Sequence, residues 1–298
     1  MPPNTAWYSR VPGRSKGVDM VSDQELAKLV TEEPQRLERF LTGLAPEDWS
    51  RPSACEGWLV ADVAAHLAQI GENFVVRLGR GLKGDPTEAP DSVAPGNLSE
   101  DEFRDLLANS AISRRERMGD SLLPSYIQCN RKLDKMISGL KPQDWDVPCF
   151  HPMGPEPVRT LMTMRVTETA MHSWDIRSSL DPEAIISADC LPAMMITIPR
   201  AVRRAFRPSP GRAKAVRYRF ETSGAVTSQT DIVLSAEGAL VEQDAAGDPD
   251  VTFRCGADTY VVVMFGRMKI GDAIANGSLA VDGPQSLAGQ FAEAFVGG

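Results

Sequence analysis

Glu168 and His172 stand four residues apart in the stretch 164–175, which has helical spacing. One helical turn separates them, so both side chains leave the same face. The chain has three histidines, and a second one, His66, lies in another helical stretch, residues 61–67. Two imidazoles and one carboxylate presented from helix faces are the donors a divalent metal with open coordination positions requires. The neighbours are apolar: His66 sits among Val63, Ala64, Leu67 and Ile70, and Met164, Met171 and Trp174 surround the other pair. A buried glutamate is costly unless it is paired or metal-bound. Without a metal, the same residues read as a surface i,i+4 pair and a core imidazole.

The elements that must position these groups follow from periodicity. Residues 22–43 form a first helix, with Leu26, Leu29, Val30, Leu37, Phe40 and Leu41 at helical spacing and Asp23 placed to cap it. A turn-rich link at 44–57 precedes a second helix, 59–79, which carries His66. Residues 84–100 hold three prolines and read as a loop long enough to act as a lid. Residues 101–117 and 122–139 are helical, broken near Gly119 and Pro124, and the last major helix, 158–180, carries Glu168 and His172. No convincing strand appears in the first 180 residues, so this half is a four-helix bundle, an architecture whose core hosts metal sites built from facing helices.

After about residue 210 the pattern changes to period two. Strands are expected at 216–222, 231–235 and 251–255, with a last one near 279–283. An apolar helix over 257–265 and a closing helix over 284–296 complete a small α+β domain. The division is then 1–20 as a flexible leader, 21–183 as the helix bundle, and 184–298 as a bridging helix followed by the α+β domain.

A net charge of −8 argues against nucleic acid or an anionic membrane as partner. No apolar run approaches a membrane span, and residues 1–20 lack the apolar core of a secretory signal. Five scattered cysteines with no C-x-x-C pair suit a reducing cytoplasm. Oligomeric state is not legible.

The strings around Cys55–Leu67 and Arg165–Asp175 resemble the mycothiol-dependent maleylpyruvate isomerase family, whose members are DinB-like metal-binding four-helix bundles. The C-terminal half, with residues 250–254 and the Phe265-Gly266-Arg267 turn, resembles the sterol-carrier-like domain appended to many members. The resemblance implies that His66, Glu168 and His172 bind one divalent ion, usually zinc. It also implies a low-molecular-weight thiol as co-substrate, mycothiol in actinobacteria. Asp62, one turn before His66, is then placed to orient that imidazole, or else only complements its helix N-terminus. Arg165 is placed to pair with Glu168 or Asp62. Arg254 and Arg267 from the second domain, and His151 from a Pro/Gly-rich link, are candidates to contact substrate, each with an equally ordinary structural reading. Cys55 reads as structural, and Trp58 and Trp174 as core anchors. No catalytic acid or base is assigned.

Three protein ligands leave a position for sulfur, and a thiol held there is a thiolate near neutral pH. If the thiolate stays on an electrophilic metabolite, the reaction is thiol transfer. If it adds to a conjugated double bond and is expelled after rotation, the reaction is cis–trans isomerisation. Residues 84–103 contain no Lys or Arg, which points away from a dicarboxylate and toward a neutral or cationic acceptor, hence a transferase. The alternatives are an isomerase of the maleylpyruvate type and a non-enzymatic carrier of a small molecule or lipid in the second domain.

Overall fold

The computed structural model describes residues 21–89, 100–205, 214–236 and 238–295. The leader 1–20 and most of the expected lid, 90–99, lie outside the described residues.

The helical half begins with α1, Asp23–Thr42. Its cap is Ser22 rather than Asp23: Glu25 N donates to Ser22 Oγ at 3.2 Å while Ser22 N donates to Glu25 Oε2 at 2.9 Å. Asp23 instead meets Arg159 at 3.2 Å. Helix α2, Val60–Gly81, buries nearly its whole first half, Val60 to Ala68, and so runs through the middle of the bundle. Helices α3, Glu100–Met118, and α4, Leu122–Ile137, flank it. Gly119 (φ 47°) opens the tight turn between them, whereas Pro124 falls in the first turn of α4, where its missing N–H costs nothing. A two-residue hairpin, β1 (Pro148–Cys149) with β2 (Glu156–Pro157), interrupts the link that the sequence pattern left without strands. It leads directly into α5, Val158–Arg177.

Helix α2 packs on α4, α3 and α5, and α5 also lies against α1. The α2–α4 approach is close at Gly71, where a Cβ would come within 2.5 Å of Cys129 Sγ.

Helix α6, Leu191–Ala205, bridges the halves, touching α5 on one side and the C-terminal domain on the other. That domain holds β3 (Val216–Ser223), β4 (Ser228–Leu234), β5 (Ala239–Gln243), β6 (Val251–Gly256), α7 (Ala257–Met264), α8 (Ile270–Ala275), β7 (Leu279–Asp282) and α9 (Gln285–Ala294). The sheet order is β5-β4-β3-β6-β7, with β3 and β6 parallel and the other pairs antiparallel. The period-two pattern of β3 turns Tyr218 and Phe220 inward, where they pack with Phe253, Tyr260 and Phe291. On the other face Arg217 and Arg219 both grip the buried Asp231 at 2.8–2.9 Å. β5 was not anticipated from its sequence; only some of its residues are apolar, and its pairing with β4 defines it.

Candidate metal centre

α2 and α5 pack side by side and turn His66, Glu168 and His172 toward one another. Glu168 Oε2 stands 3.8 Å from His66 Nε2 and 3.6 Å from His172 Nε2. These separations are too long for hydrogen bonds. They lie near the roughly 3.3 Å edge of a tetrahedron whose bonds to a central ion are about 2.0 Å. The three donor atoms all fall within 4.8 Å of one another, so the set fits a divalent ion with one carboxylate and two imidazole ligands. The histidines are nearly closed off, but 38% of the Glu168 side chain remains exposed, so the cluster opens on the Glu168 side.

The cluster is held by a second tier of groups. Asp175, fully buried, sits 2.8 Å from His172 Nδ1. A carboxylate only accepts, so Nδ1 carries the proton and Nε2 presents its lone pair to the cluster. Arg267 clamps the same carboxylate, its Nε 3.0 Å from Asp175 Oδ1 and its Nη2 3.1 Å from Oδ2. Arg267 lies just past Gly266 (φ 71°), which turns the chain sharply after α7, so the second domain reaches into the bundle to fix a residue that fixes His172. Trp58 stacks on His172 with an interplanar angle of 8° and meets His66 edge-on at 5.0 Å. Cys55 Sγ lies 4.0 Å from Arg267 Nη2.

The electrostatics follow from these contacts. Burial lowers the pKa of His66 and leaves it neutral near pH 7. Burial opposes the charge on His172 too, but Asp175 and then Glu168 outweigh it and raise that pKa above the ordinary histidine value. Burial also works against the charge on Glu168, and the two imidazoles overcome it, holding the carboxyl well below its usual range. Asp175 is likewise depressed: His172 and Arg267 more than offset its burial. Burial pushes the Cys55 thiol up to about 11, so it stays protonated near neutrality.

The other residues singled out in the sequence take different places. Asp62 caps its own helix, its Oδ2 accepting from Leu59 N at 2.9 Å, and its Oδ1 forms an ion pair with Arg115 Nε at 3.3 Å; neither contact is to His66. Arg165 pairs with neither Glu168 nor Asp62. It is fully buried, donates to Asn130 Oδ1 at 2.7 Å, and lies over the Phe74 ring at 5.8 Å. Helix rotation accounts for this, since a three-residue offset turns Arg165 toward α4. Arg254 lies on the far sheet, paired with Glu221 and Asp282. His151 lies in the β1–β2 turn, where its Nδ1 accepts from Met153 N at 3.2 Å. On α6, Arg200 pairs with Glu156 at 2.5 Å. Two residues went unassigned by sequence reasoning. Asp175 carried a local signal, three residues after His172, and Trp58 was read only as core.

Residues 30–177 match the family described as mycothiol maleylpyruvate isomerase N-terminal domain, and residues 210–296 match the SCP-2 sterol transfer family. Among solved structures, the chain is similar to the crystal structure of the mycothiol-dependent maleylpyruvate isomerase. Identity is 15%, coverage is 83% of this chain and 90% of that one, and the TM-score is 0.56. A histidine-to-alanine mutant of that protein matches at 14% identity, over 88% of this chain and 93% of that one, with a TM-score of 0.57. At such identities the likeness speaks for the fold. No curated protein matches the chain by sequence. Among the described residues, no helix is long and apolar enough to cross a membrane.

Proposed function

Given that the chain belongs to the mycothiol-dependent maleylpyruvate isomerase family, we propose that it is a metal-dependent enzyme that activates a low-molecular-weight thiol, mycothiol, for attack on a small electrophilic metabolite. The observation that carries this reading is the convergence of His66, Glu168 and His172 donors within 4.8 Å, open on the Glu168 side. A divalent ion held there, zinc by its donor set, would keep a bound thiol as thiolate near neutral pH.

The chain's own residues do the rest. His66, Glu168 and His172 are the ligands. Asp175 holds the Nδ1 proton of His172 and so keeps Nε2 available as a donor. Arg267 keeps Asp175 ionised and in register, making the second domain part of the site. Trp58 covers both imidazoles and excludes water from that side. The thiol sulfur forms a bond to the electrophilic carbon while the π electron pair moves to the adjoining carbon or its carbonyl oxygen. The thiol proton ends on the product.

If the S–C bond persists, the outcome is transfer, the reading we place first. If the S–C bond breaks after rotation, thiol is regenerated and the outcome is isomerisation, which the family relationship favours. A lipid-carrier role is poorly supported by the second domain, whose interior is filled by Tyr218, Phe220, Phe253, Tyr260 and Phe291, each at most 1% exposed. A reducing cytoplasm accords with five free cysteines.

The deciding experiment combines metal analysis with thiol titration and product mass, using mycothiol and maleylpyruvate. One thiol lost per product supports transfer, and full thiol recovery with an isomerised product supports the second reading. No metal-dependent reaction of thiol with this or a panel of uncharged electrophiles would overturn both.

A further inference from the structure

Glu33 is a carboxylate where the pattern of α1 calls for an apolar residue. Leu26, Val30, Leu37 and Leu41 form the buried stripe of that helix, and Glu33 falls within it at 1% exposure. Burying a carboxylate is costly unless its oxygens are satisfied. Glu33 Oε2 accepts from Arg36 Nη1 at 3.0 Å, but among the described residues no hydrogen bond closes on the buried Oε1. A single 3₁₀ turn, Ala188–Cys190, lies against α1 and opens the bridging helix α6. It brings up Asp189 and the fully buried Cys190. One ligand atom from each of Glu33, Asp189 and Cys190 then lies within 4.8 Å of the others. None of the three belongs to the cluster on α2 and α5.

The donors are one sulfur and two carboxylates, a set that suits zinc or a softer divalent ion and not magnesium or calcium, which take oxygen alone. Burial, then Glu33 and Asp189, hold the proton on Cys190, so the surroundings of that sulfur are electronegative. Three carboxylates, Glu32, Glu33 and Asp189, face two cations here, Arg36 and Lys28. A thiolate at Cys190 would bring the excess to two negative charges, which a divalent ion neutralises. Arg36 is no bar to this. It bridges the two oxygens of Asp189 at 2.8 and 2.6 Å and also reaches Glu32 at 3.1 Å. It can therefore keep Glu32 and one oxygen of Asp189 while the other oxygen turns to the ion. The Asp189 side chain is 43% exposed and gives the ion its way in, whereas Glu33 and Cys190 close the inner side.

We propose that Glu33, Asp189 and Cys190 form a second cation site, for a thiolate-seeking divalent ion such as zinc or cadmium, which pins the start of α6 to α1. This goes beyond the proposed function and does not rest on it. Binding replaces the S–H bond of Cys190 with a sulfur–metal bond and releases the proton to water. Because the ion must displace that proton and share Asp189 with Arg36, it enters after the His66–Glu168–His172 cluster is filled, and only when metal is supplied in excess.

The test is titration of the full-length protein with cadmium, followed by the ultraviolet charge-transfer band that a sulfur–cadmium bond produces. The His66–Glu168–His172 cluster offers no sulfur, so cadmium entering it gives no such band. Wild-type protein should develop the band to an end point of one sulfur-bound cadmium per chain. C190S should abolish it, and C55S, at the cysteine beside Arg267, should keep it. H172A should keep it too, since the two sites share no ligand. Loss of a group that only supports a ligand already costs about tenfold in metal affinity, so E33Q, which removes a ligand's charge at constant size, should weaken cadmium at least that much. Far-ultraviolet circular dichroism checks the fold of each variant. Should C190S not fold, the wild-type band and the E33Q shift decide between them. No band in wild-type protein with cadmium in excess, a band that survives in C190S, or equal cadmium affinity in wild type and E33Q would each overturn the assignment.

Discussion

Replacing Asp175 with asparagine separates two jobs that one carboxylate performs. Asp175 makes three charge-assisted contacts, at 2.8 Å to His172 Nδ1 and at 3.0 and 3.1 Å to Arg267, while fully buried itself. Removing one partner of a buried ion pair costs about 3–5 kcal/mol, because the remaining charge is left uncompensated. Asparagine keeps the shape and one acceptor oxygen, which places the expected loss near the lower end, about 3 kcal/mol. The effect on the metal is distinct. Groups that hold the far nitrogen of a ligating histidine contribute about tenfold to a hundredfold in metal affinity, or about 1.4–2.7 kcal/mol. The control is R267M, which removes the second domain's clamp but leaves Asp175 beside His172. Stability is read from urea unfolding and metal affinity from competition with a chromogenic chelator. D175N should lose both stability and at least tenfold in affinity; R267M should lose stability and a smaller share of affinity than D175N, because Asp175 still faces His172 Nδ1. If D175N binds metal as tightly as wild type, Asp175 is only an interdomain tie and the argument that it orients His172 fails.

Four further outcomes are expected. Purified protein should hold about one divalent ion per chain, and both H66A and H172A should lose most of it in elemental analysis; full retention in both would remove the site assignment. Chelation should lower the melting temperature, because the proposed ligands join α2 to α5, and an unchanged melting curve after verified metal removal would mean the ion is not a structural link. In metal-free protein, the raised pKa of His172 contributes stability that is full below the ordinary histidine value and is lost as pH rises through the raised one. The depressed Glu168 and Asp175 contribute stability that is present above the ordinary carboxyl range and is lost as pH falls through their lowered values. The stability gap between stripped wild type and H172Q should therefore be largest near pH 6 and shrink toward pH 9; a gap that widens with pH would contradict the assigned charge on His172. Cys55, with its thiol pushed up to about 11, should react with iodoacetamide at pH 8 more slowly than free cysteine, monitored by peptide mass; faster reaction would mean a thiolate is present.

The local half of this site was written in the sequence. A four-residue offset places Glu168 and His172 on one helix face wherever that helix packs, and the apolar neighbours of His66 point it inward, because helical periodicity depends only on nearby residues. The change to period two after residue 210 marked the second domain for the same reason, although β5, held by its pairing with β4 more than by its own pattern, did not show. The resemblance then joined His66 to a pair 102 positions away, which periodicity alone does not do. Tertiary packing decided the rest. Asp175 became the partner of His172 because Arg267, 92 residues further on, arrives to offset its buried charge. Asp62, one turn from His66 and the better candidate on local grounds, was taken by its own helix cap and Arg115. Arg165 turned to α4, and Arg77, outside any motif, came to lie on a ring from a hairpin more than seventy positions away. Each of these outcomes turns on which buried charge finds which partner, a balance of desolvation against pairing that is settled only when distant segments meet.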